Sequence, residues 1–229
     1  MTKTHQYAIR LLILSTAVFL LAMIIVAISF YDGEYPAFYQ YISHLGSNEH
    51  SSTATKWIFR GGMGICALSM LATFFMYTID LYNLEKGKSP DRRRKRYYYF
   101  FSIMTFFCFI CAIGVAMPTD VYPTVHMVGA IGFFFTYILL NILWQASRID
   151  KKHKVRKSTP EEERTRRADT LIDWVWANIV FFTGLAMGLF LLLEKTFGII
   201  FVPSLPIVLK KVVVVQIVIS AFLLDENDL

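Results

Sequence analysis

Apolar positions fall in six long runs, Leu11 to Phe30, Gly61 to Ile79, Tyr97 to Met117, Val125 to Trp144, Leu171 to Leu193 and Ile207 to Leu224, and most of the charge lies in the short blocks between them. About 20 residues of helix, at 1.5 Å each, cross a hydrocarbon core about 30 Å thick. Each run is therefore long enough for a span, the sixth being the weakest because Lys210 and Lys211 stand near its start. The runs do not alternate polar with apolar residues, as the strands of a membrane barrel must. The pattern predicts an all-α, polytopic membrane protein with six transmembrane helices in a single domain over residues 1–229. The first run is expected to stay as a helix, since it is longer than a signal-peptide core and has no small-residue cleavage site.

Composition changes the picture by exclusion. The chain is 55% apolar and 17% charged, whereas soluble domains sit near 45–50% and about 25%, so a soluble globular domain is excluded. Twenty Phe and twelve Tyr against seven Pro and twelve Gly exclude a low-complexity or disordered chain. Charge then orients the bundle. With the N-terminus inside, Lys3, Arg10, the block from Lys86 to Arg96 and the block from Arg148 to Arg167 all face the cytoplasm. That accounts for eighteen of the 23 basic residues and leaves Lys56, Arg60, Lys195, Lys210 and Lys211 near the other side. Positive charge is retained inside, which gives the expected topology: both termini in, in a multi-pass protein of the cell membrane. The net charge of +6 is confined to these blocks, so no nucleic-acid partner is expected. The five-residue basic run from Arg92 to Arg96 reads as a topology signal attracted to anionic lipid.

Finer signals lie within the runs and loops. Cys66, Cys108 and Cys111 all sit in apolar runs and read as small packing residues rather than metal ligands. Gly61, Gly62 and Gly64, then Gly129 and Gly132, and the GxxxG pair Gly184 and Gly188 mark expected helix contacts, within a monomer or weak homo-oligomer. Thr159, Pro160 and Glu161 to Glu163 read as the start of helix five, outside the lipid. The first outer loop, Tyr31 to Thr55, is too long for a simple connector and is expected to fold over the helix mouths.

The expected chemistry lies at the outer end. Helices two, four and six all begin there, and Arg60, His126, Lys210 and Lys211 stand in their first turns. A Lys at a helix centre is penalised by about 2.5–3.5 kcal/mol, whereas each large apolar residue returns about 0.3–0.6. The two lysines lie about 100° apart on their helix, so at least one should face the bundle and meet an acid, water or a ligand. Asp32, Glu34 and Asp120 are the candidate acids, and the tight connector from Pro118 to Thr124 is expected to keep Asp120 near His126.

Ile42, Ser43, His44, Leu45 and Gly46 after helix one, Tyr122 to His126 opening helix four, and Leu209 to Val212 opening helix six together resemble a known family. It is the six-helix membrane superfamily of the damage-regulated autophagy modulators and the Frag-type GPI-lipid remodelling proteins, and more closely its prokaryotic branch. The resemblance implies a lipid-associated membrane protein in which Ser43, Gly46, His126, Lys210 and Lys211 occupy recurring positions. His44 stands where an acid is common, and two lysines stand where the helix-six pair commonly includes an acid. The expected site is an outer polar pocket of Ser43, His44, Gly46, Arg60, Asp120, His126, Lys210 and Lys211 that binds a lipid headgroup or similar anion, with membrane lipids as partners and no cofactor. Three alternatives compete with it. Ser43, His126 and Asp120 could serve a lipid hydrolase or acyltransferase, although no nucleophile-elbow motif is present. His44, Asp120 and His126 could hold a metal, and the bundle could conduct a small solute. A structural reading also stands, in which the cations pair with loop acids and hold the loop down.

Overall fold

The structure, a computed structural model, describes residues 3–33, 35–36, 42–49, 51–87, 92–154, 171–172, 174–186, 189–190 and 205–222; within its helices, the side chains of 3–6, 145, 147–154, 205–207, 210, 217–218 and 220–222 lie outside that description. Helix α1 runs over Lys3–Ser29, a single 3₁₀ turn over Ile42–Gly46, α2 over Thr53–Lys86, α3 over Arg92–Ala116 and α4 over Pro123–Lys154. They are followed by α5 over Trp174–Ala186 and α6 over Leu205–Phe222. All the regular secondary structure among the described residues is helical, with no strand. Four stretches, Tyr7–Ser29, Thr53–Lys86, Arg92–Ala116 and Pro123–Trp144, are long and apolar enough to cross a membrane, as expected of a multi-pass membrane protein. The described part of α5 is apolar and shorter than a span. The expected start of helix five near Pro160 lies outside the described residues.

Local chemistry fixes where the helices begin and end. Ser52 caps α2 by accepting the Thr55 backbone N–H at 3.1 Å, which satisfies one of the orphan donors of a first turn. The same hydroxyl donates to the Phe30 carbonyl at 2.8 Å, and the Thr55 hydroxyl donates to the Ala27 carbonyl at 3.2 Å. The start of α2 is thereby fastened to the end of α1. Pro123 opens α4, where its missing N–H costs nothing.

α2 packs on α3, α3 on α4, and α1 on both α2 and α6. Between them lies a core that includes Ile13, Leu20, Met23, Met63, Met70, Phe101 and Phe133, while Leu68, Phe75, Phe107 and Phe135 are exposed on the outside. An outer surface this apolar suits lipid, where packing rather than hydrophobic burial holds helices together. Glycine sets the closest approach: a Cβ on Gly129 would stand 2.7 Å from the Gly114 Cα, so the backbones of α3 and α4 touch there. Gly132 faces Cys111, Gly62 faces Met23 and Gly184 faces Ile138. Gly61 and Gly64 instead meet no neighbour among the described residues, because they are rotated about 100° and 200° away from Gly62 on the helix. The surroundings of Gly188 lie outside the described residues. Across the bundle, the Trp144 indole donates to the Tyr77 hydroxyl at 3.2 Å, and the Gln216 amide donates to the Thr183 hydroxyl at 3.0 Å, tying α6 to α5. Such bonds are worth about 0.6 kcal/mol on average in a membrane.

The glycine contacts carry a test. Gly129→Ala should lower stability in detergent by about 1–3 kcal/mol, because overpacking at a backbone contact forces the helices apart. Gly64→Ala should be neutral or slightly stabilising, since alanine is the better helix former by about 1 kcal/mol. Thermal unfolding followed by circular dichroism reads both; equal effects would contradict the assigned contact.

Candidate functional site at the loop end of the bundle

The end of α1, the 3₁₀ turn, the start of α2 and the α3–α4 connector meet at one end of the bundle. The turn is locked by its own polar groups: the His44 carbonyl accepts both the Ser47 backbone N–H at 3.0 Å and the Ser51 hydroxyl at 2.7 Å. Leu45, Gly46 and Ser47 are buried by this closure, so the turn, which is the described middle of the first long loop, lies against α1 and α2. Gly46 has no room for a side chain, since a Cβ would meet the Phe59 ring at 2.7 Å.

Arg60, two turns into α2, reaches back to that turn. Its Nε and Nη2 both donate to the Gly46 carbonyl, at 2.9 and 2.6 Å, and Nη2 also donates to Asn48 Oδ1 at 2.9 Å. The guanidinium also lies 5.9 Å from the Trp57 ring centroid. Both Asp120 oxygens accept the Asn48 backbone N–H, at 3.2 Å each. Arg60 and Asp120 are thus joined through Asn48 rather than by a direct ion pair. Among the described residues, the hydrogen-bond partners of the guanidinium are neutral oxygens, and its Nη1 N–H groups meet no protein acceptor. Partial desolvation pushes the Asp120 carboxyl up, but hydrogen bonds from the backbone N–H groups of Asn48 and of Asp120 itself, the Asn48 side chain and the Arg60 charge outweigh it. The group lies below the usual carboxylate range.

His126 is buried in the first turn of α4. Its Nδ1 lies 2.9 Å from the Met117 carbonyl; since a carbonyl only accepts, Nδ1 carries the proton in that contact and Nε2 is the acceptor in the neutral ring. This is the nitrogen an orienting carboxylate would hold in a hydrolytic triad, and Asp120 is directed to Asn48 instead. Ser43 and His126 line one cavity of about 50 Å³ beneath the turn, together with apolar side chains that include Leu20, Ile24, Phe133 and Val214. No hydrogen bond joins Ser43 to His126 among the described residues. No group of three His, Cys, Asp or Glu there stands close enough to hold a metal ion, and His44, Asp120 and His126 do not converge.

Lys211 occupies a separate place, its Nζ 5.2 Å from the centroid of the Tyr35 ring, while the Lys210 side chain lies outside the described residues. Burial, and secondarily the neighbouring Tyr31, hold the Tyr35 phenol well above its usual range. A neutral ring therefore faces the ammonium, in a cation–π contact. Asp32 is exposed on the loop; Glu34 lies outside the described residues.

A family model matches residues 13–159, which take in α1 from Ile13 through α4 and so every contact of the Arg60 network. The chain belongs to that family, described as protein of unknown function DUF998. The DUF998 match stops short of α6, so Lys211 and its contact with Tyr35 combine a residue outside the matched region with one inside it. No curated protein and no solved structure matches the chain.

Two participants escaped the sequence reading. Asn48 gives only a weak signal, a polar loop residue two positions after Gly46. Asp80 gives a stronger one: it follows the second apolar run directly, and α2 continues past it, so that it lies 4% exposed beside Tyr77 and Tyr98 at the other end of the bundle.

The Asp120 contact sets a pH dependence. A carboxylate whose folded pKa is depressed adds stability that is complete above the ordinary carboxylate range, about 4, and is lost as pH falls through the lower folded value. Thermal midpoints measured from pH 7 to pH 3 should fall more steeply for the native chain than for Asp120→Asn. Parallel curves would show that the tether carries no such linkage.

Proposed function

We propose that this chain is a six-span protein of the cell membrane, both termini cytoplasmic, whose outer end binds a lipid headgroup or a similar anion. One observation carries the reading: the Arg60 guanidinium is held by neutral oxygens, with its Nη1 N–H groups turned to no protein acceptor among the described residues. A positive fork fixed in this way is pre-organised for a phosphate or carboxylate. The adjoining cavity adds an apolar lining with Ser43 and His126 as its polar edge, a combination suited to an amphipathic molecule. Helix starts pointing outward add positive potential at the same end, and Lys211 adds another cation beneath the loop. Membership in the superfamily of autophagy modulators and GPI-lipid remodelling proteins is part of this proposal, and rests on Ser43, Gly46 and His126 in the positions described above. The distribution of basic residues supports the orientation.

Lipid retention separates binding from structure. Arg60→Gln should lower co-purifying anionic lipid, read by mass spectrometry, and destabilise the loop by about 1.5–3 kcal/mol through lost charged hydrogen bonds. Asn48→Ala removes part of the tether while keeping the charge, and should lower the thermal midpoint with lipid content nearly unchanged. If both variants keep their lipid, the site is structural only. Orientation has its own check: a cysteine at the exposed Glu49 should react with an impermeant thiol reagent in intact cells, and one at the exposed Lys86 should be shielded. The reverse pattern would invert the topology.

A further inference from the structure

Two carboxamides lie inside the bundle where α4, α5 and α6 meet, and the outer site uses neither. Asn141 of α4 is 1% exposed and Gln216 of α6 is 6% exposed. Gln216 reaches α5 through Nε2, which donates to the Thr183 hydroxyl at 3.0 Å. Gly184, the next residue of α5, lies against Ile138 of α4, about one turn before Asn141. Asn141 also shares its helix face with Ala130 and Phe134, at i−11 and i−7, and these two line a cavity together with Val214 of α6. The Asn141 face of α4 is thus the one turned to α6.

Three carboxamide atoms have no hydrogen-bond partner among the described residues: Nδ2 and Oδ1 of Asn141, and Oε1 of Gln216. Exchanging the N and O of either amide does not remove the deficit. Asn141 lacks a partner at both ends, and the Thr183 hydroxyl gives its proton to the Ile179 carbonyl at 2.7 Å, so it can only accept from Gln216. Buried polar groups are normally bonded, and a low-dielectric interior raises the cost of leaving one bare. Two such side chains at one junction point to a ligand that supplies what the protein does not. The unmade bonds define its chemistry. A cation would leave Nδ2 bare and an anion would leave both oxygens bare, so the ligand is neutral and both donates and accepts. Asn141 stands three residues, about 4.5 Å of helix rise, before Trp144, where the apolar stretch of α4 ends. A molecule entering from that end crosses about one turn of hydrocarbon.

We propose that the α4–α5–α6 junction binds a small uncharged molecule that donates and accepts hydrogen bonds, water or a solute of that chemistry, held by the carboxamides of Asn141 and Gln216. The site is independent of the one around Arg60. It makes the interior of the bundle polar at one level, where the surrounding helices are otherwise packed with apolar side chains.

The test is water-edited solid-state nuclear magnetic resonance of the full-length chain, labelled with ¹⁵N in Asn and Gln, in lipid nanodiscs. Magnetisation should pass from water to the side-chain amides of both Asn141 and Gln216, each assigned by its loss in Asn141→Leu or Gln216→Leu. If a solute takes the place of water, the transfer is absent and a polar small molecule is released on denaturation of the native chain, but not of Asn141→Leu, as read by mass spectrometry. A signal on neither carboxamide or on just one, with no such molecule released, overturns the proposal. Stability gives a second readout with opposite signs. If Asn141 is bonded to a ligand, Asn141→Leu removes those bonds and should lower the thermal midpoint by about 2–4 °C. If Asn141 is bare, the same change removes a buried penalty, and a midpoint that rises or stays unchanged overturns the proposal. Should Asn141→Leu fail to fold, the spectra of the native chain and of Gln216→Leu carry the test. Arg60→Gln should leave the transfer to both carboxamides intact.

Discussion

A guanidinium at the edge of a hydrocarbon layer must find oxygen, and Arg60 finds it in the backbone of the loop above it. Two of its nitrogens converge on the Gly46 carbonyl, and the Asn48 side chain and backbone carry the link on to Asp120. The first long loop, α2 and the α3–α4 connector are joined by this one chain of bonds. Gly46 is what permits it: only a residue without Cβ lets the turn lie against Phe59 with its carbonyl aimed at the arginine. Closure of the loop in turn roofs the small cavity edged by Ser43 and His126.

The rest of the bundle follows the logic of a low-dielectric solvent. Several polar groups inside it bond at short range, as Thr16, Thr73 and Thr105 do to carbonyls three or four residues back, or across helices, as Trp144 does to Tyr77. Backbones approach where glycine faces glycine, at Gly114 and Gly129. The two ends of the bundle then differ in kind. One closes over its polar residues with a folded loop, and the other sets the basic start of α3 beside an aromatic and aliphatic cleft.

Much of this was legible in the residues. Run length and composition were enough for the helical membrane class, because crossing a hydrocarbon core imposes a length that periodicity alone does not. Arg60, Gly46 and Asp120 were singled out for charge, position or resemblance, and they do share one network. What the sequence could not show is mediation: nothing in the spacing of Arg60 and Asp120 says that Asn48 stands between them. Nor could it show that the Asp120 carboxylate takes the Asn48 backbone N–H, since six residues of connector leave its direction open. Glycine placement was half legible for a similar reason. A helix face is defined only once its partner is known, and of the three glycines opening α2 only Gly62 meets one among the described residues. Asp80 was missed because apolar runs were cut at their first charge, whereas a helix continues until its backbone bonds end.

The central claim, that Arg60 is held by neutral oxygens so that its outer N–H groups can take an anion, is tested most directly by an experimental structure in a lipid nanodisc containing phosphatidylglycerol. The account predicts an anionic oxygen, not belonging to the protein, within about 2.7–3.2 Å of Arg60 Nη1, with the Gly46 and Asn48 bonds retained. An Nη1 closed off by a protein carboxylate, or surrounded by water alone, would contradict it.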